Sequence, residues 1–288
     1  MGGVPRRHIS RRTMLLSIAG VVVGTAELGL SINDSAAKRE PGLRLLDATT
    51  TPRSGLALPA VDSVDTAVTT ISTSVPAWAK RWSAPIHDLA DFLRAEPGTH
   101  FPARSVMLTV DDGPSATWTP RYLRLFEKYD VKATFNLIGE QVPTQRALVH
   151  AIASQGHVLA NHTWTHDLWL PSRASADIRS EMARTNDAIE RAAKVRPRVF
   201  RSPGGNWGPR IFDALVTEQM MPLGWDIDPR DWSRPGIAAI ESSMLRARPG
   251  DIILCHDGGG DRSETYASLA RVIPALKARG YRFVTLPQ

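Results

Sequence analysis

Val106-Met107-Leu108-Thr109-Val110-Asp111-Asp112-Gly113-Pro114 is a short apolar run that stops at two acids and a turn. Five mostly apolar residues bounded by Gly and Pro read as a buried strand. Working outward, the same unit recurs. Further strands are expected at 133–138 (closed by Gly139), 158–160, 199–200, 222–227, 252–255 and 281–286. Helical periodicity fills the gaps at 122–129, 145–154 (with Gly156 just past its end), 176–193, 211–219, 238–247 and 266–278. About seven strands alternating with helices predict an α/β fold with mostly parallel strands. Periodicity alone leaves a barrel and an open sheet both possible. In either, ligands gather beyond the C-terminal ends of the strands.

Polar clusters fall at those ends: TVDDGP (109–114), NHTWTH (161–166), RSPGG (201–205), DPRDW (228–232) and LCHD (254–257). Alone, Asp111-Asp112-Gly113-Pro114 is a turn signal. Adjacent strand residues face opposite ways, so both acids serve one pocket only if the turn begins at them. One carboxylate then binds a metal while the other takes a proton from water. His162 and His166 are four apart, which on a helical turn puts both imidazoles on one side, a two-ligand spacing for zinc. Two His and one Asp leave coordination positions open, as a catalytic metal needs. Trp164 between them reads as packing. His157 reads as structural, and His8, His87, His100 and His150 as surface.

Arg201 is either a surface ion-pair partner or, beside Asp111, the group that holds that carboxylate ionised. Gly204 and Gly205 allow close backbone approach and can present N–H groups. Trp207 reads equally as a sugar-stacking ring or as core. Of Asp228 and Asp231, one can hydrogen-bond a histidine and raise its pKa; both also suit a turn or cap. His256 ends an apolar strand, either as a buried structural ring or as a protonated general acid for a leaving amine. Leu254 shares its face, and Cys255 points the other way.

At 288 residues and 42% apolar content the chain can bury a substantial core in one or two domains. Arg6, Arg7, Arg11 and Arg12 precede an apolar stretch at 14–30. This order marks an export signal, and SRRTMLL (10–16) resembles the bacterial twin-arginine signal, with Leu16 where that motif often has Lys. A cleavage site is expected near 34–37. An uncleaved anchor associated with the membrane, or a buried helix, is the alternative. Residues 1–53 carry +4 of the chain's net +6, and no basic stripe with interleaved aromatics occurs, so nucleic acid is not an expected partner. One cysteine excludes an intrachain disulfide and a multi-Cys zinc site. Residues 38–77, rich in Thr, Ser, Ala and Pro, read as linker. Residues 86–96 read as a short helix opened by Pro85 and packed on the main domain.

In order, the five clusters resemble the five motifs of the polysaccharide deacetylases, that is, carbohydrate esterase family 4 or the NodB-homology domain. The resemblance spans about residues 103–288. It implies a distorted (β/α) barrel of seven strands and a divalent metal, most often Zn2+ with Co2+ an option, that supports hydrolysis of acetyl groups on sugars. Residue by residue, it makes Asp111 the general base and Asp112, His162 and His166 the metal ligands. Arg201 orients the base, Asp231 tunes His256 as general acid, and Asp228 belongs to the same motif as Asp231. Trp232 and Leu254 shape the acetyl pocket, with Gly204 contributing its backbone N–H. Val110 stands where that family commonly has Phe, and Gly204 where it frequently has Tyr, so the Tyr ring is gone.

The organisation expected is therefore an export signal at 1–37, a linker with a short helical element at 38–100, and a NodB-like domain at 101–288. The expected substrate is an N-acetylated cell-wall or extracellular polysaccharide, peptidoglycan first, met outside the cell or in its envelope. Chitin oligomers, another surface glucosamine polymer and acetylxylan are the runners-up. A catalytically silent glycan-binding protein and a metal amidohydrolase acting on a non-carbohydrate substrate are the competing classes.

Overall fold

The computed structural model describes residues 80–287. The expected export signal at 1–37 and the linker at 38–77 lie outside the described residues. Seven strands form one parallel sheet: β1 (Ser105–Gly113), β2 (Thr134–Leu137), β3 (Val158–Asn161), β4 (Val199–Phe200), β5 (Met221–Pro222), β6 (Ile252–His256) and β7 (Arg282–Val284). Their order is β5-β4-β3-β2-β1-β6, with β7 paired to the first residues of β1. Among the described residues seven α-helices accompany them: α1 (Leu89–Ala95), α2 (Thr119–Lys128), α3 (Arg146–Ser154), α4 (Ser175–Ala193), α5 (Pro209–Glu218), α6 (Ile237–Met244) and α7 (Ser263–Ala278). The architecture is the distorted (β/α) barrel that the motif order implied. Among the described residues no helix is long and apolar enough to cross a membrane.

Period-two alternation builds two layers. Val106, Leu108 and Val110 of β1, Phe135 and Leu137 of β2, and Ile253 and Cys255 of β6 join α2, α3 and α7 in the larger apolar cluster. The intervening residues face the barrel interior. Its floor is apolar: Met107, Ala160, Val199 and Ile252 pack with Met221, Leu223 and Leu286. One step further along the strands the same faces carry Thr109 and Leu254, and then Asp111 and His256. Register sets Asp111 directly beside Asn136 on one side and His256 on the other. The apolar floor lies beneath and the ionisable groups above because the ionisable inward residues, Asp111 of β1 and His256 of β6, stand at the C-terminal ends of their strands.

Two expectations are corrected. Residues 222–227 do not form one strand. Pro222 ends β5, Leu223 bridges to Ile86, and Ile227 bridges to Ile253 of β6. The helix expected over 86–96 begins at Leu89, not at Ile86 behind Pro85. Asp88 caps it, accepting the Asp91 N–H at 2.6 Å while the Asp91 carboxylate accepts the Asp88 N–H at 3.4 Å. Both departures have one cause. The open seam between β5 and β6 needs backbone partners, and residues 86–89 supply them. Ile86 N–H donates to Pro222 O (2.9 Å), Gly224 N–H to Ile86 O (2.7 Å), and Leu89 N–H to Gly250 O (2.9 Å). The short N-terminal element thus packs against the barrel floor through Ile86, Leu89 and Phe92.

Candidate active site

Asp112 is an extra residue in β1. Asp111 pairs with Asn136 and Gly113 with Leu137, so Asp112 bulges out, at φ +71°. A non-glycine residue held there is costly unless its surroundings enforce it. The bulge lets two adjacent acids face one cleft, which a regular strand forbids. Gly258 closes against its back: a Cβ added there would lie 1.8 Å from the Asp112 carbonyl oxygen.

The loop after β3 brings the two imidazoles. It is not the helical turn that the four-residue spacing suggested, because Thr163 (φ +67°) and His166 (φ +57°) are left-handed. Side-chain clamps hold it. Thr163 N–H donates to Asn161 Oδ1 (2.9 Å), and His166 N–H to Thr163 Oγ1 (3.0 Å). Trp164 and Thr165 N–H both donate to one Glu181 carboxylate oxygen on α4, at 2.9 and 2.8 Å. The imidazole centroids stand 4.9 Å apart. His162 Nδ1 lies 2.7 Å from the Arg201 carbonyl oxygen, which only accepts. The proton therefore sits on Nδ1, and Nε2 turns its lone pair to Asp112.

Asp112 Oδ1 is 3.5 Å from His162 Nε2 and 3.3 Å from His166 Nε2, and it is buried with no hydrogen bond. The ligating atoms of the three residues lie within 4.8 Å of one another. An orphaned carboxylate oxygen facing two imidazole nitrogens fits a divalent cation. Burial would raise the Asp112 pKa, but His162, His256 and His166 outweigh it and hold the carboxyl well below its usual range. At His166, burial and the adjacent His162 win over the acids and lower the ring's pKa.

Asp111 is held on one oxygen. Its Oδ1 accepts from Asn136 Nδ2 (2.6 Å) and Arg201 Nη1 (2.8 Å), while Oδ2 lies on the His162 side, 3.7 Å from Nε2. Arg201 is fully buried. Its remaining donors reach Thr109 Oγ1 (2.7 Å), Leu223 O (3.2 Å) and Gly224 O (2.6 Å). Burial lowers its pKa, with Asp111 opposing. A guanidinium stays charged under such a shift, and its hydrogen bond to the Asp111 carboxyl is buried.

His256 comes from the end of β6. Its Nδ1 lies 2.8 Å from Asp231 Oδ1. Asp231 Oδ2 accepts the His256 backbone N–H (2.9 Å) and the Thr265 hydroxyl (2.9 Å). Burial opposes charge on the ring, but the Asp231 hydrogen bond and charge, with Asp111 and Asp112 adding to them, raise its pKa to about 9. Of the two DPRDW acids, Asp231 therefore grips the imidazole. Asp228 accepts the Arg230 N–H at 2.7 Å.

These groups line one cleft of about 410 Å³, with Asp111, Asp112, His162, His166, Gly204, Asp228, Trp232, Leu254 and His256 on its walls. Arg201 and Asp231 lie behind it. Gly204 sits at φ +63° with Leu168 Cδ2 and Asn206 Nδ2 each 3.1 Å from where a Cβ would be, so a side chain there would be strained. Other singled-out residues sit away from the chemistry. Trp164 is half-buried under Arg184 (4.3 Å). Trp207 packs on Phe212 (5.6 Å) and Phe200. His157 is buried, and its Nδ1 accepts the Ala133 N–H (3.1 Å). Burial, then Lys132, brings its pKa down to about 4.

Sequence reasoning missed Asn136, Thr109, Thr265, Trp225, Leu168 and Ser202. Asn136 left a signal, as the one amide in an apolar strand. Thr109 also interrupts an apolar run. Thr265, in a helix 34 residues beyond Asp231, left none.

The polysaccharide deacetylase family profile matches residues 98–221. A peptidoglycan-N-acetylglucosamine deacetylase of Bacillus cereus is 38% identical over 186 residues, covering 64% of this chain and 86% of that protein. A chitooligosaccharide deacetylase of Sinorhizobium fredii is 39% identical over 211 residues, covering 69% of this chain and 97% of that one. Among solved structures, the family 4 carbohydrate esterase from Streptomyces lividans in complex with acetate superposes with a TM-score of 0.60 at 29% identity, covering 64% of this chain and 93% of that chain.

Proposed function

The chain belongs to the polysaccharide deacetylase family, and from that premise we propose that it is a divalent-metal-dependent hydrolase removing N-acetyl groups from a glucosamine-containing cell-wall or extracellular polysaccharide, with peptidoglycan first. The observation that carries this reading is the meeting of Asp112, His162 and His166 with Asp111 and His256 around one cleft.

A divalent cation, Zn2+ first and Co2+ second, held by Asp112, His162 and His166 would polarise a water and the acetyl carbonyl. Asp111 takes the proton of the attacking water through Oδ2, while Asn136 and Arg201 fix Oδ1 and so the carboxylate's rotamer. The backbone N–H of Gly204 donates to the oxygen that gains charge. His256 gives its proton to the departing sugar nitrogen as the C–N bond breaks, and Asp231 holds the ring charged and aimed. Leu254, Trp232 and Asp228 shape the acetyl side of the cleft. Products are acetate and a free amine.

Acetate release from peptidoglycan, chitin oligomers and acetylxylan, before and after chelation and with zinc restored, tests the proposal. Zinc-restored release from the N-acetylated glycans is expected. Release from acetylxylan alone would make it an esterase, and release from none would leave a silent glycan binder or an amidohydrolase of another substrate class. Chitin oligomers are the second reading, favoured by similarity to the Sinorhizobium fredii chitooligosaccharide deacetylase. The domain spans 101–288 on this reading. An export signal at 1–37, followed at 38–100 by a linker and the short helical element, delivers it to the envelope or beyond, cleaved or retained as a membrane anchor.

A further inference from the structure

Resting on the deacetylase reading above, we propose that Trp169 is a stacking platform for a sugar ring other than the one being deacetylated, and that it makes the enzyme prefer a β-1,4-linked N-acetylglucosamine chain over a short fragment. The indole is 73% exposed, the most exposed large apolar side chain described, and Leu168 beside it is 49% exposed. Side by side they leave a contiguous apolar patch in water, the kind of surface that marks an interaction site.

The ring is not on a loose loop. Leu170, next in sequence, is fully buried against Ile178, Phe200 and Ile211. Asp167 accepts the Trp169 N–H at 2.8 Å and Arg173 Nε at 2.5 Å. Ser172 N–H and Oγ both donate to Trp169 O, at 2.9 and 2.7 Å. From the facing loop, Asn206 Nδ2 donates to Leu168 O at 3.0 Å. The backbone is thus pinned on both sides of a side chain that is left in water. A backbone fixed in this way lowers the ordering cost of binding at the indole.

Position supplies the occupant. Leu168 lines the catalytic cleft and also a neighbouring groove of about 350 Å³ that it forms with Trp169, Pro171, Ser172, Asn206 and Trp207. The groove therefore adjoins the cleft across Leu168, and what extends from a bound acetylated sugar toward it is the next sugar of its chain. A pyranose presents an apolar C–H face to an indole and hydroxyls to the Ser172 and Asn206 rim, the division expected of a ligand subsite.

The test compares acetate release from N,N′-diacetylchitobiose and penta-N-acetylchitopentaose by the zinc-loaded parent, Trp169→Ala and Trp169→Phe. In the parent, kcat/KM rises from dimer to pentamer. In Trp169→Ala that rise shrinks about tenfold, through KM, and Trp169→Phe restores most of it. Equal losses on both substrates, an unaltered chain-length profile, or a parent with no chain-length preference would each overturn the platform while leaving the deacetylase intact. A parent that deacetylates nothing overturns the deacetylase reading. The platform is then decided by calorimetry with the pentamer: about tenfold weaker binding by Trp169→Ala supports it, and equal binding or none by the parent overturns it.

Discussion

Asp231 grips His256 at two points: one carboxylate oxygen lies 2.8 Å from ring Nδ1, and the other accepts the histidine's own backbone N–H at 2.9 Å. The contact fixes the ring's rotation and tautomer, and it raises the ring's pKa to about 9 against the opposing effect of burial. A general acid works protonated, so kcat/KM is expected to fall as pH rises through about 9. An amide in place of Asp231 stabilises the imidazolium far less. Asp231→Asn should lose about 10²-fold or more in kcat and move the alkaline limb down toward the ordinary histidine range near 6.5. A pH–rate profile with its limb still near 9 would refute the link between the two residues.

The roles of His256 and Asp112 separate by metal content. His256→Ala removes a proton donor but no ligand atom, so the purified variant should bind zinc like the parent and turn over about 10²-fold or more slower. Asp112→Ala removes the one oxygen ligand and should lose zinc and activity together. Elemental analysis beside acetate release checks both, and full turnover by His256→Ala would remove it from the acid role.

Gly258→Ala tests the bulge from behind. The new methyl would sit 1.8 Å from Asp112 O and 2.9 Å from Asp112 Cβ, and a backbone carbonyl cannot swing aside as a side-chain tip can. Overpacking of this kind costs about 1–3 kcal/mol or more. It should lower Tm and weaken zinc binding at least tenfold, although Gly258 touches no ligand atom. Parental zinc affinity in a folded Gly258→Ala protein would show that the bulge tolerates displacement.

Asp257, next to His256, is fully buried, and the Thr119 hydroxyl donates to it. Burial raises its pKa to about 7, against the Thr119 bond and with Asp112 and Asp111 adding to the rise. The folded state then binds a proton that the unfolded chain releases near 4. That stability is fully present below about pH 4 and is lost as pH rises through about 7. Asn stays neutral and can still accept from Thr119. Asp257→Asn should therefore gain on the parent between pH 4 and 7, by an amount on the order of a few kcal/mol for such a shift. Urea unfolding at pH 4.5 and 7.5, in chelator, measures this, and an equal pH slope in the two proteins would refute it.

Much of the barrel was legible because it is local. Residues 106–110 and 252–255 are apolar runs with an inward and an outward face, and period two already put Leu254 with His256 and against Cys255. The seam was not legible. Ile86 looked like the first turn of a helix because its spacing to Leu89 and Phe92 is helical, and only the unpaired edges of β5 and β6 give its backbone another use. The His162–His166 spacing pointed to a pair that the fold does bring together, but through the wrong geometry. Clamps from Asn161 and from Glu181 on α4 hold that loop, whose Thr163 and His166 are left-handed.

By itself the sequence determined which strands alternate with which helices, and that acids, imidazoles and an arginine stand at the strand ends, since these follow from short-range periodicity and from turn residues. Tertiary structure alone decided which oxygen of Asp111 is tied down, which acid of DPRDW holds His256, and how the barrel closes. Each of those depends on partners brought together from 25 to 161 positions apart, such as Asn136 on Asp111 and Leu89 on Gly250. Such pairings are set by strand register and sheet closure, which leave no periodic trace in the chain.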